Sequence, residues 1–365
     1  MKPTKIYSNN IEQGALDQFA SAMEQEYSTQ GALMPDAHQG YSLPIGAVVA
    51  TEGVIVPAWV GYDIGCGMCA MPTSFKFDDI CKNAVSIFHE IYRQVPVGFH
   101  VNEHAVESQL SRDGLSDAGK TAFDERKGLR GIGTLGGGNH FIEIGKDEEG
   151  TIWIIIHSGS RGVGHGIAGA YMRLASGDGK VREGHYPLGV DSELGLAYIN
   201  DQSWALDYAL ENRMEIMRRV LNAIRETCTG DGWGKGLINR NHNHAELTDG
   251  LWIHRKGATH AEKDMMGVIP ANMRDGTFIV RGLGNPESLC SSSHGAGRAM
   301  SRTKAKELLK MSDFIKDMEG ITAKVCFDTL DESAEAYKDV HDVMRGQTEL
   351  VEIMHHVAPI INIKG

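Results

Sequence analysis

Two hydrophobic periods alternate along the 365-residue chain. The run Ile152 to Ile156 is short and continuously apolar, as in a buried strand. Ala47 to Ala50 and Val54 to Val56 predict shorter strands about a Glu52-Gly53 turn, and Phe278 to Val280 predicts another. Between Ser203 and Thr227 the spacing changes. Leu206, Leu210, Met214, Met217, Leu221 and Ile224 step by three or four and share one helical face, with Gly230 beyond as a stop signal. A second helix is predicted over Asp79 to Arg93, with Ile80, Ala84, Ile87, Phe88 and Ile91 inward, and a third over Arg302 to Met311. The stretches 108–127 and 177–194 are polar and predict mobile loops or a polar helix. This mixture predicts an α+β fold, with the Met and Leu stripe of the long helix in its core.

No repeat of solenoid period and no low-complexity linker divides the chain. Its 36 Lys+Arg against 48 Asp+Glu give a net charge of −12. That excludes a protein that coats nucleic acid through a broad basic surface. It leaves room for a local basic site. The N-terminus has no apolar leader, and no run of eighteen apolar residues exists, so a secretory signal and a membrane span are not expected. The six cysteines then read as reduced thiols or metal ligands in a cytoplasmic protein. The 44 glycines exceed the usual share of about 7% without a Gly-X-Y period, so they need an explanation other than collagen.

The glycines gather where the chemically able residues gather. The first such segment is Met34-Pro35-Asp36-Ala37-His38-Gln39-Gly40. The second, Gly61 to Cys69, sets Asp63 three residues before Cys66, so a carboxylate and a thiolate can converge where glycine lets backbone come close. Cys69 completes a Cys-x-x-Cys, but no second pair makes a zinc site, and Cys69 reads as a packed small residue. The third, Gly133 to Glu143, leads through three glycines into Asn139-His140-Phe141. Within a strand His140 and Glu143 would face opposite sides, so both serve one site only if the strand ends or twists there. The chain has no Walker pattern. The fourth, His157-Ser158-Gly159-Ser160-Arg161, follows the IWIII strand and suits an anion nest. The fifth, residues 240–310, holds His242, Asn243, His254, Lys256, His294 and Arg298. It carries 11 Lys+Arg and 7 Asp+Glu, a net of +4, against −16 for the remainder. A basic stretch rich in Gly, Ser and His favours phosphate handling.

Singly, each histidine is more often a satisfied structural residue than a ligand. Together, imidazoles, one carboxylate and one thiolate make a set of mixed softness that suits Zn, Mn, Fe or Co, as one ion or a pair. Paired ions are a recurring device of phosphoryl chemistry.

The blocks Gly61–Cys66, Gly136–Glu143, His157–Gly162, His254–Thr259 and His294–Arg298, in this order, resemble the signature blocks of RtcB-type RNA ligases. The resemblance runs from Met34 to the C-terminal Ile363-Lys364-Gly365. It implies a single large domain over 1–365, α+β, with central sheets, flanking helices and a deep metal-containing cleft. It implies two Mn(II) ions held by Asp63, Cys66, His140, His157 and His242, with Cys66 bridging. His294 would be the nucleophile that carries GMP from GTP. Asn139, Phe141, Glu143 and Asn243 would contact the nucleotide, Tyr337 would stack on guanine, and Lys364 would lie near its edge. Arg161, Lys256 and Arg298 would offset phosphate charge. The implied reaction joins RNA 2′,3′-cyclic phosphate or 3′-phosphate ends to 5′-hydroxyl ends, in tRNA splicing or RNA repair, with DNA not a main substrate. The brief N-terminal portion resembles that of shorter bacterial members of the repair type. No Lys-x-Asp-Gly is present, in agreement with a histidine route.

Residues 269–277 depart from the family's small Gly/Ser-rich run. His38, His244, His260, His355 and His356 are extra, and read as surface or supporting side chains. Asp36 and His38 are candidates to orient a metal ligand. Two other readings compete: a metal-dependent phosphodiesterase that opens cyclic phosphates without sealing, and a module that grips RNA ends without turnover. A metal-ligand set beside a separate nucleophile argues against the second.

Overall fold

The computed structural model describes residues 2–180, 184–230 and 235–365. Its largest element is an eight-stranded sheet built on the IWIII segment. The strand Ile152–Ser158 pairs with Phe141–Lys146 on one side and Gly67–Thr73 on the other, both antiparallel. The order continues through Val351–Lys364, Thr277–Gly282 and Met266–Pro270 in one direction, and to Ile238–Asn241 in the other. Thr322–Ala323 adds to Val351–Lys364. The edge strands Met266–Pro270 and Ile238–Asn241 touch, so the sheet curls into a nearly closed barrel.

Strand alternation decides what faces where. Ile152, Ile154 and Ile156 point outward and pack on the helices Phe77–Gln94 and Glu193–Arg225. Trp153 and Ile155 point inward, where they meet Met68, Phe141, Val268 and Val357. Each isoleucine so buried stabilises the fold by about 1.5–3 kcal/mol. His157 continues the inward series at the strand's end. Cys69 faces outward into the isoleucine core, the packed role expected of it.

A five-stranded sheet lies beside the barrel, in the order Thr4–Ile6, Ser28–His38, Ile45–Thr51, Leu251–Lys256, Asn243–Thr248. One face packs with Phe278, Val280 and Ile269 of the barrel, and the other with Trp59 and the helix Gln13–Glu24. The polar stretch 108–127 is ordered: a 3₁₀ turn at Arg112–Gly114 precedes the helix Asp117–Glu125, which Ser116 caps. In the stretch 177–194, Leu188–Gly189 pairs with Val54–Ile55, and residues 181–183 lie outside the described residues.

Two helix expectations are corrected. The long helix runs over Glu193–Arg225, and its most buried face is Trp204, Ala205, Tyr208, Ala209, Asn212, Arg213, Ile216 and Met217. Leu206, Leu210 and Met214 sit at the margin of that face. Polar Asn212 and Arg213 take the centre because they satisfy backbone groups beneath the site. The expected helix 302–311 is two short ones, Arg302–Leu308 and Met311–Asp317, with extended backbone at Leu309 between them. All six cysteines are free thiols. No helix among the described residues is long and apolar enough to cross a membrane.

Candidate active site

Five side chains converge in a row at the mouth of the barrel. Asp63 and Cys66 lie in the turn before Gly67–Thr73, His140 immediately before Phe141–Lys146, His157 near the end of Ile152–Ser158, and His242 between Ile238–Asn241 and Asn243–Thr248. Asp63 Oδ2 is 3.1 Å from His140 Nε2, which is 3.4 Å from Cys66 Sγ. That sulfur is 3.1 Å from His157 Nε2, which is 3.3 Å from His242 Nε2. Because the strand begins only at Phe141, His140 escapes the alternation and shares the cleft with Glu143, which lies on the inward face with Phe141.

The row fits a cation set. The Nδ1–H groups of His140 and His157 donate to the carbonyls of Leu135 (3.0 Å) and Asn139 (3.2 Å). The Nε2 lone pair of His157 therefore points at the sulfur and toward His242, while His140 Nε2 faces the sulfur and the Asp63 carboxylate. Donors about 3 Å apart suit ligands bound at about 2.0–2.3 Å. Carbonyl partners on the far nitrogens are the usual support of ligating imidazoles. Cys66, His140 and His157 stand within 4.8 Å of one another as a candidate metal group. Burial pushes the Cys66 thiol well above its ordinary value, and the Asp63 charge adds to this. Burial also pushes His157 and His242 well below theirs, keeping them neutral. For Asp63 burial works upward, but the hydrogen bond from His140 and the charges of His140 and Arg161 outweigh it and hold the carboxyl at about 2.

Glycine is required where the row is tightest. At Gly159 a Cβ would stand 2.5 Å from Asp63 Oδ1. At Gly136, with φ +97°, it would stand 2.6 Å from His140 Nδ1.

His294 lies beside the row, its ring centroid 4.8 Å from that of His242. Its Nδ1–H donates to Asp36 Oδ2 at 2.7 Å, and its backbone N–H reaches the same oxygen at 3.2 Å. Asp36 is fully buried. Asp36 thus orients His294, not a member of the row. His38 Nδ1 contacts the Asp36 carbonyl at 3.0 Å.

His294 lines two cavities. The smaller, about 300 Å³, is walled by Phe141, Glu143, Asn272, Tyr337, Asn362 and Lys364, among others. Pro270 to Met273, from the divergent 269–277 segment, form part of its wall. The larger, about 710 Å³, opens over Asp63, Cys66, His242, Asn243 and Lys256. Asn139 and Arg298 line both.

The expected nucleotide contacts divide between these spaces. Phe141, Glu143, Tyr337 and Lys364 share the smaller cavity. Asn243 lies in the larger one, its amide engaged: Nδ2–H donates to the Asp63 carbonyl at 3.1 Å, and Gly257 N–H donates to Oδ1 at 2.7 Å. Arg161 lines neither cavity. It is tucked beneath the glycine loop, donating to Thr134 Oγ1 and the Gly98 carbonyl. His254 is structural: Val56 N–H donates to its Nε2 at 2.9 Å, and its Nδ1–H donates to Trp252 at 3.2 Å.

Several contributors carried no motif. Glu332 ties together three residues of the smaller cavity's wall: Lys364 Nζ reaches it at 2.5 Å, Tyr337 donates to it at 2.6 Å and Arg302 also pairs with it. Burial alone would raise its carboxyl, but the charges of Lys364 and Arg302 hold it at about 2. Glu143 has no such company. Burial lifts it to about 8, although Thr277 and Asn362 donate to it. Under the row, Asn212 accepts from Gly133 N–H and donates to the Gly159 carbonyl. Arg213 donates to the Gly65 and Ser158 carbonyls and to Asn239 and Asn241. Polar residues buried on a helical face would have been the only signal for this pair.

A family profile described as tRNA-splicing ligase RtcB matches residues 18–125 and 114–365. The chain is 35% identical over 367 residues to the RNA-splicing ligase RtcB of Escherichia coli K12, covering 92% of this chain and 90% of that protein. It is 30% identical over 420 residues to the tRNA-splicing ligase RtcB of Nanoarchaeum equitans, covering 91% and 87%. An RNA-splicing ligase RtcB2 of another Escherichia coli strain is 29% identical over 337 residues, covering 86% and 81%. With the matched residues spanning the donor row and both cavities, the chain belongs to the RtcB family of tRNA-splicing ligases.

Proposed function

We propose that this protein is a GTP- and Mn(II)-dependent RNA ligase, acting in one catalytic domain on cyclic-phosphate or 3′-phosphate ends and 5′-hydroxyl ends. The observation that carries the reading is the place of His294, fixed by Asp36 between the smaller cavity and the donor row. With Nδ1–H committed to Asp36, the lone pair of Nε2 is free to act as nucleophile. It attacks the α-phosphorus of GTP. A phosphorus–nitrogen bond forms, and pyrophosphate leaves with the electrons of the broken phosphorus–oxygen bond. The positive charge that grows on the ring is offset by the Asp36 carboxylate. An oxygen of the RNA 3′-phosphate next displaces the histidine and takes up GMP. The 5′-hydroxyl oxygen then attacks the activated 3′-phosphorus, gives up its proton, and releases GMP. A cyclic end is first hydrolysed to the 3′-phosphate.

The row of Asp63, Cys66, His140, His157 and His242 would hold two manganese ions, with Cys66 at the centre. Bound there, they would supply Lewis-acid charge to the phosphates. Tyr337, Phe141, Glu143 and Lys364 would hold the guanine nucleotide in the smaller cavity, with Asn139 and Asn243 at its phosphate side. Lys256 and Arg298 would face RNA phosphates in the larger cavity.

The test is intact mass after mixing with GTP and Mn(II). An acid-labile GMP adduct is expected on the parent protein and none on His294→Ala. No adduct on the parent, or an equal adduct on the variant, sinks the mechanism. Cyclic-phosphate opening that persists in His294→Ala without GTP would favour a phosphodiesterase.

A further inference from the structure

On the far side of Asn243 from the donor row, two of the extra histidines meet. His244 lies on Asn243–Thr248, and His260 ends the strand Ala258–His260. Their rings stack at 4.9 Å, and their Nε2 atoms are 3.0 Å apart. His260 Nδ1 lies 2.9 Å from Glu262 Oε1, so its proton sits there and its Nε2 presents a lone pair. Neither neutral tautomer of His244 satisfies the pair. With the proton on Nε2 it can donate to His260, but Nδ1, which has no hydrogen-bond partner, remains a buried bare acceptor. With the proton on Nδ1, a buried N–H goes unmet and the two Nε2 lone pairs face each other, with only Arg255 Nη1 at 3.5 Å beside His244 Nε2. His244 is only 3% exposed, so solvent does not relieve either arrangement.

A cation between the two Nε2 atoms removes the conflict. Metal–nitrogen bonds of about 2.0–2.1 Å at ordinary ligand angles place two nitrogens about 3 Å apart. Glu246 completes a group whose donor atoms all lie within 4.8 Å of one another. Glu262 stands to His260 as carboxylates commonly stand to ligating imidazoles. Arg255 pairs with Glu246 and lies 3.6 Å from Glu262 Oε1, so the carboxylates still exceed the local guanidinium by one charge. The side chains of Glu246 and Glu262 are each 35% exposed, which leaves an entry path.

We propose that His244, His260 and Glu246 form a second metal site of the zinc type, separate from the donor row, with Glu262 orienting His260. Its place suggests what it does. Asn243–Thr248 starts directly after His242, and Ala258–His260 pairs with Ser291–Ser293, which leads into His294. An ion there clips the strand that follows His242 to the strand pair that presents His294.

Cobalt(II) is the probe. Crystals of the full chain, stripped with chelator and reloaded with cobalt, should show an anomalous peak at the cobalt edge within bonding distance of both Nε2 atoms. In solution, His260→Ser and His244→Phe should each retain one cobalt fewer than the parent after desalting, while Cys66→Ala keeps this ion. A loaded donor row with no peak at His244, or an unchanged cobalt count in His260→Ser, overturns the proposal and leaves an imidazole–imidazole hydrogen bond. The crystal measurement uses the parent protein, so it decides the matter even if a variant fails to fold.

Discussion

The donor row and the Glu332 cluster are both buried polar groups in one cleft, built in opposite ways. In the row, burial keeps His157 and His242 neutral and the Cys66 thiol protonated, and the lone pairs of those two histidines face one another across 3.3 Å. Around Glu332 the charges are matched internally: Glu332 meets Lys364, Arg302 and the Tyr337 hydroxyl, and Asp331 shares Arg302. The row is incomplete in its own chemistry and would be completed by a cation. The cluster carries its counter-charges with it and holds its shape without one. A buried charge is tolerated only when paired, and the two ends of the cleft meet that demand from outside and from inside.

The largest break in this comparison is Cys66→Ala. It removes the central donor and leaves Asp63 and His140 parted from His157 and His242. Metal loading of the row should be lost and the fold kept, read by elemental analysis beside the unfolding midpoint. Manganese retained at the parent level in the row would show that the sulfur is not a ligand. Next comes the support beneath the row. Arg213→Met strands two buried carbonyls and two asparagine oxygens, for a loss of about 3 kcal/mol or more, since each buried acceptor left unmet costs about 1–3 kcal/mol. Urea unfolding should show the shift. A loss below about 1 kcal/mol would mean that the backing is redundant.

This difference also explains what the sequence made legible. The row was readable because its members sit in or beside glycine-rich turns at strand ends, where Asp63, Cys66 and His157 are out of place unless they act. The IWIII strand announced its own burial, and the order of blocks pointed to the family. Arg213 and Asn212 were hidden inside an apolar stripe, because their partners are backbone groups brought near only by the fold. Glu332 was hidden for a related reason. It lies in a Leu-Asp-Glu-Ser stretch without glycine or histidine, and only the return of the C-terminal strand brings Lys364 to it. Asp36 was visible as a residue but not in its task, since 258 positions separate it from His294.

Glu332→Gln tests the self-contained end. Removing the negative charge leaves Lys364 without its carboxylate and Arg302 with Asp331 alone. The loss of one charge-assisted bond, about 1.5–3 kcal/mol, should weaken GTP binding roughly ten- to hundred-fold. Manganese content should not change. Tighter GTP binding would instead mean that the carboxylate competes with the nucleotide, and a fall in manganese would mean that the two ends are one coupled unit.

The smallest effect is the most discriminating, because it concerns two carboxyls of the same cleft. Glu332 is held at about 2 and is ionised at neutral pH, whereas burial lifts Glu143 to about 8, so it is protonated there. A guanine edge presents N–H donors, for which an ionised carboxylate is the complement. Binding such an edge at Glu143 therefore expels its proton. The free protein binds one more proton than the complex, so GTP affinity must rise with pH below about 8 and level off above it. The slope is at most about tenfold per pH unit, the limit for one proton released. Titration calorimetry in buffers of different ionisation enthalpy would read that proton directly. Glu143→Gln should flatten the dependence, and Glu332→Gln should leave it in place. A parent affinity flat between pH 6 and 8 would place the guanine edge elsewhere and remove Glu143 from the nucleotide contacts.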